Sequence, residues 1–183
     1  MSKFMIPMRI ALGHQARVGK DTFMEYFNDI YGCSVIRFAE PLYLIATITQ
    51  ATLGKRVCKD PSLMQRTGDM LKQQYGQDVF IDAARAQLAT MKGNNIIAID
   101  MRCKNELAFL REAGFTTVKI TRGNREIDRD HTHISEVDLA DAEFDYTITN
   151  DGTKEEFYAK IEALVNRINA GQISEYDHIS DQL

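Results

Sequence analysis

Ile10-Ala11-Leu12-Gly13-His14-Gln15-Ala16-Arg17-Val18-Gly19-Lys20-Asp21-Thr22 runs from an apolar strand, through a glycine-bearing loop, to Gly-Lys at the mouth of a helical pattern. This is the layout of a phosphate cradle. Successive backbone N–H groups and the positive end of the following helix converge on one anion, and a lysine ammonium reaches the outer phosphates of a nucleoside triphosphate. The spacing departs from G-x-x-x-x-G-K-[ST]: five residues separate Gly13 from Gly19, His14 takes the usual first-glycine slot, and Asp21 stands where Ser or Thr is expected. Alone, the same residues could also make a plain glycine-rich turn between a strand and a helix.

Short apolar runs recur on either side of helical patterns. Arg9–Leu12, Ser34–Phe38, Ile96–Ile99, Thr117–Ile120 and Tyr146–Thr149 read as five strands. Between them, helices are predicted over Thr22–Tyr31, Pro41–Leu53, Ser62–Met91 with a break near Gly76, and Asn105–Ala113 closed by Gly114. The alternation argues for an α/β fold with a parallel sheet covered on both faces. In the last helix Phe157, Ile161, Leu164, Val165 and Ile168 repeat at helical spacing, Thr153 with Glu156 forms a capping box, and Gly171 is expected to end it.

The expected organisation is one domain over residues 1–171, with a helical insertion at about 41–95 and a polar, lid-like segment at about 122–140, followed by a disordered tail at 172–183. With 183 residues, 44% of them hydrophobic, the chain can bury a real core, and a second full domain would be a squeeze. A formal net charge of -4 gives no cationic field for a nucleic-acid partner, so free nucleotides fit better than polymers. Cys33, Cys58 and Cys103 are scattered and odd in number, which points to reduced thiols rather than disulfides or zinc. Pro7 and Arg9 interrupt the apolar start, so neither a signal peptide nor a membrane span is expected. The expected location is the cytoplasm, or the host cytoplasm for a viral protein.

Phosphoryl transfer needs cations, a metal near carboxylates or hydroxyls, and exclusion of water. Lys20 suits the triphosphate tail, and Asp21 with Thr22 could hold Mg²⁺, although Asp21 could equally offset the helix dipole. Ile96–Asp100 is a buried-strand pattern ending in a carboxylate, with Arg102 two residues on as a phosphate clamp; a structural Asp-Arg pair is the plainer alternative. Arg122, Arg125 and Arg129 cluster near His131 and His133, and the two histidines alone make no metal site.

Ile99-Asp100-Met101-Arg102-Cys103-Lys104-Asn105-Glu106 resembles the D-x-R-x-x-N-E signature of phage-type deoxynucleoside monophosphate kinases. His133-Ile134-Ser135-Glu136 is similar to that family's H-x-S-E lid, and Ile148-Thr149-Asn150-Asp151-Gly152-Thr153 to its I-x-N-D-G-[ST] turn. Gly19-Lys20-Asp21-Thr22 fits as well, because the group typically carries Asp directly after the lysine. Phe38-Ala39-Glu40-Pro41-Leu42 resembles its A-x-P-[LI] element, and Leu63-Met64-Gln65-Arg66-Thr67-Gly68 its L-M-Q-x-x-G stretch. The likeness runs in order along nearly the whole chain to about Ile168 and is strongest from Asp100 to Gly152.

The resemblance implies a three-layer P-loop kinase fold with a parallel five-stranded sheet, a helical substrate-binding region and a lid. It implies transfer of the γ-phosphoryl group of ATP to a deoxynucleoside monophosphate (dNMP), with Mg²⁺ as metal and a homodimer allowed. Gly13, His14, Ala16, Arg17, Val18, Gly19, Lys20, Asp21 and Thr22 would then meet the ATP phosphates, and Asn150, Asp151 and Gly152 would lie near adenine. Lys20, Arg102, Arg122 and Arg129 would be catalytic, and Asp21, Thr22 and Asp100 would serve the metal. The monophosphate would meet Arg37, Phe38, Pro41, Gln65, Arg66, Asp100, Arg102, Glu106, His133 and Glu136.

Two departures fall beside these sites. His14 replaces a common glycine, and Tyr43 follows Pro41-Leu42 where lysine is frequent, leaving Arg37 or Arg66 to supply that cation. Dephospho-coenzyme A kinase and animal-type phosphomevalonate kinase share parts of the pattern. A non-catalytic nucleotide-binding regulator is a different class of reading; the absence of an N-K-x-D guanine signature and the arginine-rich segment count against it.

Overall fold

The structure is a computed structural model that describes residues 7–13, 17–91, 94–123 and 138–180, with side chains described as far as residue 171. Its elements in chain order are β1 (Arg9–Gly13), α1 (Lys20–Tyr31), β2 (Ser34–Ile36), α2 (Glu40–Thr52), α3 (Pro61–Tyr75), α4 (Val79–Thr90), β3 (Ile96–Met101), α5 (Lys104–Glu112), β4 (Thr116–Thr121), β5 (Tyr146–Thr149) and α6 (Lys154–Ser180). Backbone contacts divide the chain into two units, residues 1–35 with 93–183, and residues 36–92.

The five strands form one sheet in the order β2-β3-β1-β4-β5. β1 pairs in parallel with β3 and with β4, and β4 in parallel with β5. From β1 the chain proceeds to β2, beyond β3, and from β3 it proceeds to β4, beyond β1. The carboxyl ends of β1 and β3 therefore flank a switch point of the kind at which open α/β sheets bind ligands. Ile10, Ala11 and Leu12 are all fully buried, as expected of a central parallel strand covered on both faces.

In the larger unit, Ile10, Leu12, Ile97, Ile99, Val118 and Ile120 pack with Phe23 and Phe27 of α1 and with Phe157, Ile161 and Val165 of α6. Tyr26 stacks on Tyr158 with ring centroids 4.0 Å apart, joining α1 to α6. The Tyr26 hydroxyl donates to the Glu162 carboxylate, and this bond pushes its pKa up to about 12. Asn95 secures the entry to the sheet: its Oδ1 accepts from Met8 N at 2.9 Å, and its Nδ2 donates to the carbonyls of Tyr31 at 3.2 Å and Gly32 at 3.1 Å. Burial pushes the Cys33 thiol above its ordinary pKa.

The smaller unit is a set of helices. Pro41 lies in the first turn of α2, and Asp60 caps α3 by accepting from Leu63 N at 2.9 Å, with Pro61 in the first turn. Met64, Thr67 and Gly68 form the buried side of α3. A Cβ on Gly68 would stand 3.5 Å from Leu42, so α2 and α3 are in close contact there.

All five strands and the break at Gly76 appear as expected, although β2 ends at Ile36 and the chain turns through Arg37, whose carbonyl accepts from Glu40 N at 3.2 Å. The end of the last helix is a correction. α6 continues through Gly171 to Ser180, so residues 172–180 are helical rather than a disordered tail. Gly171 is not among the glycines with positive φ, so it makes no left-handed cap. A right-handed glycine costs a helix only about 1 kcal/mol relative to alanine, too little to stop it. Among the described residues no helix is long and apolar enough to cross a membrane.

The other end of α6 matches the sequence reading. Thr153 N donates to Glu156 Oε2 at 2.9 Å, and Glu156 N donates to Thr153 Oγ1 at 3.2 Å. Thr153→Ala is expected to cost about 1 kcal/mol and to lower the melting temperature by roughly 2–4 °C. An unchanged melt would mean that the packing of Phe157 alone fixes the start of the helix.

Candidate active site

β1 ends at Gly13, where a side chain would be crowded. A Cβ would collide with Met101 Cε and stand 2.6 Å from Phe144. His14, Gln15 and Ala16 lie outside the described residues, so the expected contacts of His14 and Ala16 do too. The loop resumes at exposed Arg17, with φ 58, followed by fully buried Val18 and by Gly19, with φ 106. Gly19 is the N-cap of α1, and the first helical bond runs from Phe23 N to Gly19 O at 2.9 Å. The amides of the first turn therefore open along the helix axis, where an anion is favoured. Lys20 is the first helical residue and half-buried, Asp21 is exposed in the first turn, and Thr22 is half-buried.

Beside this loop, Asp100 and Met101 end β3, and Met101 stands in register with Gly13. Asp100 and Arg102 are half-buried. Glu106 shapes the turn into α5, because its Oε2 accepts from Arg102 N at 2.6 Å and from Cys103 N at 2.9 Å. The resemblance assigned Glu106 to the monophosphate; the geometry commits this oxygen to the backbone that presents Arg102.

Arg122 is exposed just past β4. Arg125, Arg129, His131, His133 and Glu136, with most of the segment read as a lid, lie outside the described residues. Both flanks of that segment are tied by carboxylates. Asp151 Oδ1 accepts from Gly123 N at 2.5 Å, and Asp138 Oδ2 accepts from Lys104 N at 2.6 Å.

The turn after β5 meets the phosphate loop directly. Asn150 is 9% exposed, its Nδ2 donates to Val18 O at 2.8 Å, and its backbone N donates to Thr121 O at 2.8 Å. Gly152 is required by the capping box, since a Cβ there would overlap the Glu156 carboxylate. Asp145 braces the same edge of the sheet: its Oδ2 accepts from both Thr117 N and Thr117 Oγ1 at 2.7 Å. No motif marked Asp145 or Asn95, and their partners are too distant in sequence for spacing to reveal them.

In the smaller unit, Phe38 is buried, 3% exposed. Gln65 and Arg66 are on the exposed side of α3, while Arg37 and Pro41 are half-buried at the start of α2. Among the described residues no three His, Cys, Asp or Glu side chains gather to hold a metal ion.

A parallel sheet whose first strand feeds a glycine loop and a lysine-headed helix defines an α/β P-loop kinase fold. Two solved structures share it. A gluconokinase from Sinorhizobium meliloti superposes with a TM-score of 0.57 at 13% identity, covering 93% of this chain and 98% of that one. A dephospho-CoA kinase from Campylobacter jejuni gives 0.54 at 14% identity, with 90% and 98% covered. The sequence is more specific. Residues 62–161 match the deoxynucleotide monophosphate kinase family, and the chain belongs to that family. A protein of Acanthamoeba polyphaga mimivirus, provisionally named a deoxynucleotide monophosphate kinase, is 38% identical over 80 residues. That match spans 43% of this chain and 39% of the viral protein's length.

Proposed function

We propose that this chain transfers the γ-phosphoryl group of ATP to a dNMP, giving a dNDP and ADP. The observation that carries this reading is the closure of the loop by left-handed Gly19 with Lys20 on the first helical position, beside the strand end that bears Asp100, in a chain of this family. The loop amides and Lys20 bind the β- and γ-phosphates of ATP. Arg122 meets the moving phosphoryl group from the end of β4, joined by Arg129. Asp100 and Arg102 orient the acceptor.

Chemistry of this kind needs no strong general base, because positioning and electrostatics supply most of the rate. The donor set suits Mg²⁺. Asp21, Thr22 and Asp100 offer hard oxygen ligands of the kind Mg²⁺ takes. When bound, Mg²⁺ neutralises charge on the β- and γ-phosphates.

The test is ADP release from ATP and Mg²⁺ with dAMP, dCMP, dGMP, dTMP and their ribose counterparts, alongside dephospho-coenzyme A and phosphomevalonate. Strong turnover with one or more deoxynucleotides is expected. Turnover only with one of the other two acceptors would reassign the substrate, and silence with all of them despite ATP binding would favour a regulator.

A further inference from the structure

Val18 sits in the core with Phe23, Phe27 and Phe157, so the loop is anchored just before its closing glycine by an apolar side chain. That anchoring brings the Val18 carbonyl inside as well, where an unpartnered acceptor would be costly. Asn150 supplies the donor, through an Nδ2 2.8 Å away on a side chain that is 9% exposed. Asn150 is itself held to the end of β4 by its bond to Thr121 O at 2.8 Å. Its amide nitrogen lies so close to Gly19 that a Cβ there would collide with it.

The described chain has no cis peptide, and in a trans peptide the C=O and N–H point in opposite directions. Drawing the Val18 carbonyl inward to Asn150 therefore turns the Gly19 N–H outward, away from the core. Left-handed Arg17 and Gly19 flank Val18, an alternation of backbone hand that builds anion-binding nests. Glycine also makes the peptide free to flip, because both hands of φ are open to it.

We propose that Asn150 is a positioning residue of the phosphate loop: it locks the Val18–Gly19 peptide so that the Gly19 N–H faces the phosphate. The proposal rests on reading this loop as the triphosphate site. It differs from the family resemblance, which puts Asn150 near adenine.

The test compares the full chain with Asn150→Asp, which removes the donor at nearly constant shape, and with Asn150→Ser, which fits without crowding but is too short to reach Val18. Binding is measured for Mg-ATP and for inorganic tripolyphosphate, a probe with no base. The Gly19 amide shift is read by NMR in the unliganded protein. Both variants are expected to weaken ATP and tripolyphosphate alike, by about tenfold or more, and to move the Gly19 amide resonance. Leu164→Ala, a core truncation in α6, controls for lost stability and is expected to leave both affinities within about twofold.

Weaker ATP binding with unchanged tripolyphosphate binding would put Asn150 on the base and overturn the proposal. So would an unmoved Gly19 resonance, or an equal loss in Leu164→Ala. Lys20→Ala separates the two layers. If it leaves tripolyphosphate binding intact, the phosphate-loop reading fails and the proposal with it. If Lys20→Ala abolishes that binding while the Asn150 variants retain it, only the proposal fails.

Discussion

Lys20→Ala is expected to reduce turnover by about 10²–10³-fold or more, with no loss of fold. Lys20 opens α1 directly after left-handed Gly19, at the helix end where the first-turn amides lie. On the proposed reading, negative charge on the transferring group is spread over its oxygens, and a preorganised cation there both binds the phosphates and lowers the barrier. Lys20 is half-buried, and α1 is anchored in the core by fully buried Phe23 and Phe27, which the substitution leaves in place. The check is steady-state kinetics at saturating ATP together with a thermal melt. Near-normal kcat in a folded variant would remove Lys20 from its role, whereas lost activity with a collapsed melt would make the lysine structural.

The fold was legible where the physics is local or periodic. Central strands buried on both faces are apolar along the buried run, which is why Ile96–Ile99 and Ile10–Leu12 stood out. The Thr153 and Glu156 box was readable because its two bonds span only three residues. Gly171 misled because a glycine ends a helix only by turning left-handed, and the identity of the residue does not say whether it does. Less of the site could be read. The partners of Asn150, Asp145 and Asn95 lie 132, 28 and 63 or more residues away, and no spacing rule connects a side chain to a backbone group across such distances. Asn150 and Glu106 were singled out by their motifs, yet a motif gives no indication of whether a side chain meets a ligand or the backbone that presents one.

Arg102 is the residue for which that distinction has the largest kinetic consequence after Lys20. Glu106 grips the Arg102 amide at 2.6 Å and the Cys103 amide at 2.9 Å, and both bonds are to backbone nitrogens that any residue at 102 would keep. Arg102→Ala should therefore leave α5 and the β3 end in place while removing a planar donor suited to bidentate phosphate binding. The expected loss is about 10²-fold in kcat/KM for the monophosphate, equivalent to roughly 2.7 kcal/mol, with ATP affinity changed by no more than about twofold. Arg102→Lys keeps the charge but not the fork and should recover only part of the activity. Glu106→Gln gives the complementary result: a weaker grip on both amides should lower the melting temperature and impair the monophosphate step together. Equal losses toward ATP and the monophosphate in Arg102→Ala would take the residue off the acceptor and make it part of the general phosphate field.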